Sequence, residues 1–273
     1  MENALVTGGS GTIGSYVSFG VKPTRKELDI TNKDDVLDFV LNKKPKTIIH
    51  LAALTDQRIC EENPKEAERI NVLGTKNLAE AAKEIGALFV FASTNSVFDG
   101  SKKTPYREDD ATHPINNYGR SKLEAEKAVR EIRPEWIIAR TSWVFGGGKN
   151  DRRFVGKIIG QLNNDEIKAA DDNFGTPTYA KDFVLNLEKL ISDGKRGLFH
   201  ITNARSTSRF DQAKNITDHF GYKGKLIPCS INSFNLPYKN PKNEGLASEF
   251  LKLRPWQEAL GEYLDENFKN GKK

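Results

Sequence analysis

Tyr118 and Lys122 are spaced four residues apart, which gives them the types and spacing of a proton-transfer pair if a helix begins near Tyr118. A free tyrosine has a pKa of about 10, too high for easy proton exchange at neutral pH. A nearby ammonium group favours the phenolate, so we expect Lys122 to lower the pKa of Tyr118 and make it a general acid or base. Thr94 or Ser93, at the end of an apolar run, could hydrogen-bond the same substrate oxygen. A tyrosine covering a helix beside a solvated lysine is the alternative that the pair alone leaves open.

A glycine-rich segment at residues 8–14 follows the first apolar run, residues 4–7. A strand, a glycine-rich turn and the start of a helix form the phosphate-binding arrangement of dinucleotide-binding folds. The glycines allow a tight turn and a close backbone approach to pyrophosphate, and unpaired amides at the helix start then meet the anion. We expect Gly8, Gly11 and Gly14 to form this cradle.

Cations stand where many dinucleotide folds place an acid for the ribose 2′-hydroxyl. After a second strand predicted at residues 19–22, the chain offers Thr24, Arg25 and Lys26. Cations there favour a 2′-phosphate, so the sequence predicts NADP, with NADPH favoured over NADH. The alternative is that Arg25 and Lys26 are ordinary loop cations.

Strands and helices alternate through about residue 145, which predicts an α/β fold with a doubly wound parallel sheet of Rossmann type and a smaller C-terminal substrate-binding lobe. We expect residues 1–150 to form the NADP-binding domain, completed by roughly 179–202, and residues 151–178 and 203–273 to form the lobe. The polar loop at residues 97–117 is long enough to be functional, and a frayed tail is expected at 269–273. Predicted strands are 4–7, 19–22, 47–53, 88–92, 136–141, 198–201 and 225–231; predicted helices are 15–19, 32–41, 64–86, 118–131, 154–162, 180–192, 209–220, 247–253 and 256–268.

The composition indicates a globular protein that is neither membrane-bound nor built to bind nucleic acid. The 273 residues are 37% apolar and 29% charged with a net charge of +5, and no apolar run approaches the roughly 20 residues that span a bilayer. The first residues lack a signal-peptide pattern, so we expect a cytoplasmic location. The basic cluster at residues 22–26 is too short for a nucleic-acid footprint.

The cysteines and histidines show no metal-ligand spacing. Cys60 and Cys229 are far apart and without a CxxC pattern, so buried or half-buried thiols are expected rather than a disulfide. The histidines form no HExxH or paired-ligand motif, so no catalytic metal is expected.

Several motifs agree in order and spacing over nearly the whole chain, which resembles the extended short-chain dehydrogenase/reductase superfamily and, within it, the dTDP-4-dehydrorhamnose reductase family. The motifs are Thr-Gly-Gly-Ser-Gly-Thr-Ile-Gly (7–14), Leu-Asp-Ile-Thr (28–31), His-Leu-Ala-Ala-Leu-Thr (50–55), Ile-Asn-Val (70–72), Ser-Thr (93–94), Val-Phe-Asp-Gly (97–100), Pro-Ile-Asn-Asn-Tyr-Gly-Arg-Ser-Lys (114–122), Arg-Thr-Ser-Trp-Val (140–144), Asp-Asn-Phe-Gly-Thr-Pro-Thr (172–178) and Leu-Arg-Pro-Trp (253–256).

The resemblance implies a role for each matching residue. Tyr118 would be the proton donor to a sugar ketone, Lys122 would bind the nicotinamide ribose, and Thr94 would hydrogen-bond the ketone oxygen. The implied cofactor contacts are Gly8, Gly11, Thr12, Ile13, Gly14, Arg25, Asp29, Ile30, Leu51, Ala52, Ala53 and Ser93, together with Tyr118 and Lys122. The implied substrate contacts are Thr55, Asn95, Ser96, Trp143, Phe174, Thr176 and Pro177, with residues around Pro241 and Asn243 at the nucleotide end.

The chain departs from the family's motifs at two places. The usual Thr-Asp-Tyr-Val-Phe reads Thr-Asn-Ser-Val-Phe at residues 94–98, so Asn95 lacks the negative charge of that aspartate and Ser96 lacks the aromatic ring. The usual Arg-Pro-x-Asn-Ser reads Asn-Pro-Lys-Asn-Glu at residues 240–244. An arginine expected near the nucleotide phosphates is therefore missing, and Lys239 or Lys242 could replace it as a point charge.

These features predict an NADP-dependent reductase of a nucleotide-linked 4-keto-6-deoxy sugar, as in dTDP-rhamnose biosynthesis. The expected partner is the nucleotide-sugar substrate, with a homodimer as the candidate assembly. Two alternatives stay open: a nucleotide-sugar epimerase or dehydratase that retains its NAD, and a non-catalytic regulatory relative of the same fold. Trp143 taken alone is as easily a core residue as a sugar contact.

Overall fold

The computed structural model describes residues 3–268 of the chain, so the tail predicted at 269–273 lies outside the described residues. The strands are β1 (Ala4–Thr7), β2 (Thr47–His50), β3 (Leu88–Thr94), β4 (Glu135–Thr141), β5 (Val144–Phe145), β6 (Glu166–Ala170), β7 (Phe174–Gly175), β8 (Thr178–Tyr179), β9 (Gly197–His200), β10 (Thr207–Ser208), β11 (Lys225–Cys229) and β12 (Asn243–Glu244). The helices are α1 (Lys33–Lys43), α2 (Gln57–Glu62), α3 (Pro64–Glu68), α4 (Gly74–Glu84), α5 (Asn117–Ile132), α6 (Phe154–Ile159), α7 (Ala180–Ser192), α8 (Arg209–Phe220) and α9 (Trp256–Phe268).

The central sheet is parallel throughout, with strand order β1-β2-β3-β4-β9. Side chains alternate across it: Phe89 and Phe91 of β3 join the core cluster that includes α1, α4 and α5, whereas Leu88 and Val90 join the cluster that includes α7. Because successive residues of a strand point to opposite faces, a sheet buried on both faces needs the continuous apolar runs seen in this sequence. The predicted doubly wound parallel sheet is confirmed.

Besides the central sheet, residues 3–268 form three small sheets, with strand orders β10-β7-β12, β11-β6 and β5-β8. The first of them joins distant parts of the chain, since Phe174 pairs with Asn243 in parallel and with Ser208 in antiparallel register. β9 returns to pair with β4 in the central sheet, at residues expected to complete the Rossmann domain. The division into two domains stays a prediction.

The predicted second strand at residues 19–22 is reduced to a single bridge. Val21 exchanges backbone hydrogen bonds with β1, accepting from Val6 N at 2.8 Å and donating to Ala4 O at 2.8 Å. Gly20 before it has φ +76°, and Pro23 soon after has no amide hydrogen to donate, so neither can extend the pairing. The helix predicted at residues 15–19 is likewise only a 3₁₀ turn, Gly14–Tyr16.

Other predicted helices differ in detail. The segment predicted as one helix over 64–86 is helical but passes through a π-helical turn, Arg69–Leu73. The helix predicted over 247–253 is wrong, because its backbone bonds to a distant loop instead: Ala247 N donates to Tyr106 O at 2.8 Å. β6 was not expected from the sequence.

No helix within residues 3–268 has the length and apolar character needed to cross a membrane.

A buried ion pair fastens α5 to the central sheet. Arg140 of β4 donates through Nε and Nη2 to the two carboxylate oxygens of Glu126, at 2.8 Å and 2.7 Å. Ser93 of β3 donates to the same carboxylate at 2.6 Å. Both charged residues are at most 2% exposed, so removing one partner would leave the other charge buried and uncompensated.

We therefore expect Glu126→Gln to lower the free energy of unfolding by about 3 kcal/mol or more. The matched control is Glu124→Gln on the same helix, where an exposed pair with Lys127 contributes less than about 1 kcal/mol. Urea unfolding followed by circular dichroism measures both. Equal losses in the two variants would contradict the role given to the buried pair.

Candidate functional site

The glycine-rich loop lies against the end of β2 so closely that side chains are excluded. A Cβ at Gly8, whose φ is +73°, would lie 2.6 Å from Ala52 N, and a Cβ at Gly14 would lie 2.3 Å from the Gly8 carbonyl oxygen. Leu51 N donates to Thr7 O at 3.1 Å and extends the contact. The carboxyl ends of β1 and β2 thus present bare backbone over a continuous surface, the form that a dinucleotide phosphate requires.

The residues expected to hold the pyrophosphate are thereby brought together, and their geometry fits the group. Gly14 opens a single 3₁₀ turn rather than a full helix, so backbone access in the loop, more than a helix dipole, is what the structure offers there. Thr12, beside Gly11 and Ile13 in the loop, accepts a hydrogen bond from Arg153 Nε at 3.2 Å.

The catalytic candidates are placed by the packing of α5 on the turn after β3. A Cβ at Gly119 would lie 2.0 Å from the Ser96 carbonyl oxygen, so only glycine lets the first turn of α5 approach so closely. Asn116 caps this helix by accepting from Gly119 N at 2.8 Å. As a result Tyr118, next to Gly119, lies beside the Thr94 hydroxyl, whereas its helical neighbour Lys122 lies one turn deeper.

Ser93 and Thr94 point to different faces of the sheet, as consecutive strand residues must. Ser93 Oγ donates to the buried Glu126 at 2.6 Å, so its hydroxyl faces the core. Of the two hydroxyls considered for the substrate oxygen, Thr94 is the one beside Tyr118.

Lys122 is buried, and no carboxylate of residues 3–268 contacts its Nζ. Its Nζ donates to the Ala92 carbonyl at 2.8 Å and lies 3.9 Å from the centre of the Phe91 ring. Burial lowers the pKa of Lys122 to about 7, with the charge of Glu126 opposing the shift. Nearby His50 bonds to the hydroxyls of Thr7 and Thr75, and burial lowers its pKa to about 3, so it is neutral at pH 7.

The expectation that Lys122 lowers the pKa of Tyr118 is wrong for this structure. Burial raises the pKa of Tyr118, and the neighbouring Thr94 hydroxyl and the charge of Arg153 only partly oppose it. The physical reason is that Lys122 Nζ is turned to the Ala92 carbonyl, and that its own charge is disfavoured by burial. A raised pKa leaves the phenol protonated at neutral pH but makes it a weaker acid than a free tyrosine, so proton donation requires a contact that stabilises the phenolate.

The cofactor residues expected at the adenosine end form a separate cluster. Asp29 accepts from Thr31 N and Oγ1 at 2.9 Å and 2.8 Å, which lowers the pKa of its carboxyl. Arg25 is exposed and close enough to Asp29 for its charge to contribute to that shift. Ile30 packs against Gly74 at the start of α4, where a Cβ would meet its side chain at 2.8 Å.

Trp143 is held at the opposite end of the site, in an uncommon backbone conformation. Its φ is +43°, and its ring lies so close to Gly175 that a Cβ there would be 2.3 Å from it. The indole nitrogen donates to Glu244 Oε2 at 2.9 Å, and the Arg209 guanidinium lies 3.4 Å from the centre of the ring. Trp143 is thus 9% exposed and fixed on several sides.

The remaining substrate candidates differ in exposure. Thr55 and Phe174 are exposed, whereas Thr176 and Pro177 are buried, with Thr176 Oγ1 accepting from Leu246 N at 3.2 Å. Asn95 and Ser96 are buried after β3, where Thr94 Oγ1 donates to Ser96 Oγ at 3.3 Å.

Three charged residues near the site were not predicted from the sequence: Arg153, Arg209 and Glu244. Arg153 joins the glycine-rich loop to the neighbourhood of Tyr118. Burial lowers the pKa of Arg209 to about 10. Glu244 stood out only as a departure from a motif, and the other two carry no sequence signal, because their contacts are made between distant segments.

Both cysteines are free, with Cys60 buried and Cys229 half-buried as expected. Within residues 3–268, no group of three or more histidine, cysteine, aspartate or glutamate residues is arranged to hold a metal ion.

The depressed pKa of Lys122 gives a stability prediction. Between about pH 7 and its ordinary pKa, the unfolded chain keeps a proton that the folded chain has lost, so stability rises with pH. Relative to Lys122→Met, the wild-type free energy of unfolding should rise between pH 7 and pH 9 by up to about 1.4 kcal/mol per pH unit.

Urea unfolding at pH 7, 8 and 9 measures this difference. Lys127→Met, which removes an exposed lysine from the same helix, supplies the slope to be subtracted. If the free energy of unfolding of wild type minus that of Lys122→Met stays constant or falls from pH 7 to pH 9, Lys122 is not a buried lysine with a lowered pKa.

Comparison with known proteins places this chain in a family. Residues 2–268 match the family model described as the RmlD substrate binding domain. The dTDP-4-dehydrorhamnose reductase of Mycolicibacterium smegmatis is 32% identical over 277 residues, which is 95% of this chain and 84% of the relative.

Solved structures give the same result. A dTDP-4-dehydrorhamnose reductase from Clostridium acetobutylicum has a TM-score of 0.93 at 36% identity, covering 96% of this chain and 98% of that chain. The dTDP-4-dehydrorhamnose reductase of Bacillus anthracis, solved in complex with NADP, also has a TM-score of 0.93, at 32% identity, covering 97% and 99%.

Proposed function

The chain belongs to the family described as the RmlD substrate binding domain, which confirms the resemblance to dTDP-4-dehydrorhamnose reductases, and we propose that it is an NADPH-dependent reductase of a nucleotide-linked 4-keto-6-deoxy sugar. The observation that carries the proposal is the placement of the Thr94 hydroxyl beside Tyr118, together with a side-chain-free glycine loop. The NADP in the Bacillus anthracis relative supports the choice of cofactor.

When bound, NADPH supplies a hydride to the keto carbon. Gly8, Gly11 and Gly14 would hold its pyrophosphate, and Arg25 its 2′-phosphate. Lys122 would hold the nicotinamide ribose. The remaining cofactor contacts we propose are Thr12, Ile13, Asp29, Ile30, Leu51, Ala52, Ala53 and Ser93.

Tyr118 provides the proton that completes the reduction. The phenol donates from Oη to the keto oxygen as that oxygen gains negative charge, and Thr94 Oγ1 donates a hydrogen bond to the same oxygen. The phenol is protonated at neutral pH, and the negative charge that develops on the keto oxygen draws its proton across although burial raises its pKa. Solvent restores the proton afterwards. The ketone thereby becomes a secondary alcohol.

For the substrate-binding part of the site, we propose the residues that the family resemblance implied. We propose that Thr55, Asn95, Ser96, Trp143, Phe174, Thr176 and Pro177 line it. The relatives' name supports a dTDP-linked sugar. A cytoplasmic location and a homodimer are likewise proposals.

Tyr118→Phe should reduce kcat for a dTDP-linked 4-keto-6-deoxy sugar by roughly 10²–10⁴-fold, the usual contribution of a positioned acid. The dissociation constant for NADPH should stay within about twofold, because the ring remains. NADPH absorbance and fluorescence titration measure these. The control is Tyr222→Phe, whose hydroxyl bonds to Asn164 O outside the site.

Full activity in Tyr118→Phe would sink the proton-donor assignment. A wild-type protein that keeps NAD through dialysis would favour the epimerase or dehydratase. Cofactor binding without NADPH oxidation on any keto sugar would favour the non-catalytic relative.

Arg25→Ala should raise KM for NADPH by about tenfold, with KM for NADH nearly unchanged, because only NADPH carries the 2′-phosphate. Lys26→Ala, the adjacent exposed cation, is the matched control. Steady-state kinetics with both cofactors make the measurement. Equal effects on NADPH and NADH would remove Arg25 from the 2′-phosphate site.

A further inference from the structure

Glu244 is a buried carboxylate shared by three segments of the proposed sugar pocket. It is 6% exposed. Its Oε1 accepts from Asn95 Nδ2 at 2.8 Å, and its Oε2 accepts from Trp143 Nε1 at 2.9 Å and from Asn173 Nδ2 at 3.4 Å. β12 therefore presents one side chain that joins the ends of β3 and β4 and the turn before β7.

The backbone of Glu244 is fixed in the same place. Its carbonyl accepts from Ser142 Oγ at 2.8 Å, and it pairs with Gly175 in the small sheet. The position of the carboxylate is thus set by Ser142, which precedes Trp143 in the chain, and by Gly175, which the Trp143 ring contacts.

Neutral donors, rather than a contacting cation, satisfy this carboxylate. Within residues 3–268 no ion pair joins Glu244 to a lysine, arginine or histidine at 4.0 Å or less. Arg209, stacked 3.4 Å from the centre of the Trp143 ring and 4.6 Å from that of Phe154, acts on it only at longer range.

The donors on Glu244 require an acceptor at both oxygens. An indole nitrogen can only donate, and the bound amide nitrogen of Asn95 is also a donor. With glutamine, both contacts survive only if the Asn95 amide rotates by 180°, which turns its oxygen away from the Thr94 hydroxyl that donates to it. Serine would be too short to reach both. Because Trp143 has a positive φ, its backbone has lower-energy alternatives if this hold is lost.

We propose that Glu244 is a specificity-determining residue, which positions Asn95 and Trp143 as the wall that recognises the sugar. The contact between residues 95 and 244 joins two positions at which the chain departs from its family's motifs, an amide in place of aspartate and a carboxylate in place of serine. The carboxylate at this contact is supplied from β12. This inference rests on the proposed reductase function.

Kinetics of single variants test the positioning role. Glu244→Gln and Glu244→Ser should raise KM for the keto sugar nucleotide about tenfold or more, with kcat and KM for NADPH within about threefold, because sugar binding is what the wall provides. The matched control is Glu249→Ser, which removes an exposed carboxylate from the segment that follows β12. Thermal unfolding checks that each variant is folded. An unchanged KM in folded Glu244→Ser overturns the proposal.

A reciprocal exchange separates positioning from a general loss of packing. Asn95→Asp alone places two carboxylates in contact and should raise KM for the sugar nucleotide at least as much as Glu244→Ser. The double variant Asn95→Asp/Glu244→Ser removes the repulsion but still leaves the Trp143 indole nitrogen without its acceptor, so its KM should match that of Glu244→Ser rather than the product of the two single effects. The proposal would be overturned if the increase in KM in the double variant equalled the product of the increases in the two single variants.

A binding measurement keeps the test independent of turnover. If wild-type protein oxidises no NADPH with any keto sugar, the reductase function fails, and calorimetry with dTDP and dTDP-glucose replaces kinetics. Glu244→Ser should then weaken the binding of dTDP-glucose about tenfold more than the binding of dTDP, since only dTDP-glucose carries a hexose. Equal weakening of both, or of neither, overturns the role of Glu244.

Discussion

The attachment of α5 to the ends of β3 and β4 is the constraint on which the rest of the site depends. It consists of the Glu126–Arg140 ion pair with Ser93, the bond from Lys122 to Ala92 O, and the contact of Gly119 with the Ser96 carbonyl. These contacts fix both the rotation and the height of the helix. A helix rotated by one residue, about 100°, would carry Tyr118 away from Thr94.

Burial, more than neighbouring charge, determines the protonation of the site. It lowers the pKa of Lys122 and of His50 and raises that of Tyr118, in each case against the charged form. The result is a neutral donor next to a lysine whose charge is easily lost. A buried lysine of this kind gains its charge most readily when a polar group is brought against it, so the proposed contact with a ribose would favour the ionised form of Lys122.

The two ends of the cleft are built differently. The glycine-rich end consists of bare backbone, where the exclusion of side chains makes room, and Gly8 and Gly14 admit no Cβ without a clash. The Trp143 end consists of side chains that hold one another, with Glu244 at the centre. Backbone recognition suits the phosphates that all dinucleotides share, whereas a wall of side chains can change by substitution.

The sequence by itself determined the alternation of strands and helices, because burial on both faces of a parallel sheet demands apolar runs and each helix demands its own periodicity and caps. It also placed Gly8, Thr94, Tyr118 and Lys122 at strand ends and on one helical face, since these spacings are local. Tertiary structure alone decided the rest. Residues 247–253 were drawn into pairing with a distant loop instead of a helix, and the proximity of Glu244 to Asn95, 149 positions apart, depends on how β12 returns to the cleft. The pKa of Tyr118 was also misjudged from spacing, because desolvation is a property of the packed environment and not of an i,i+4 pair.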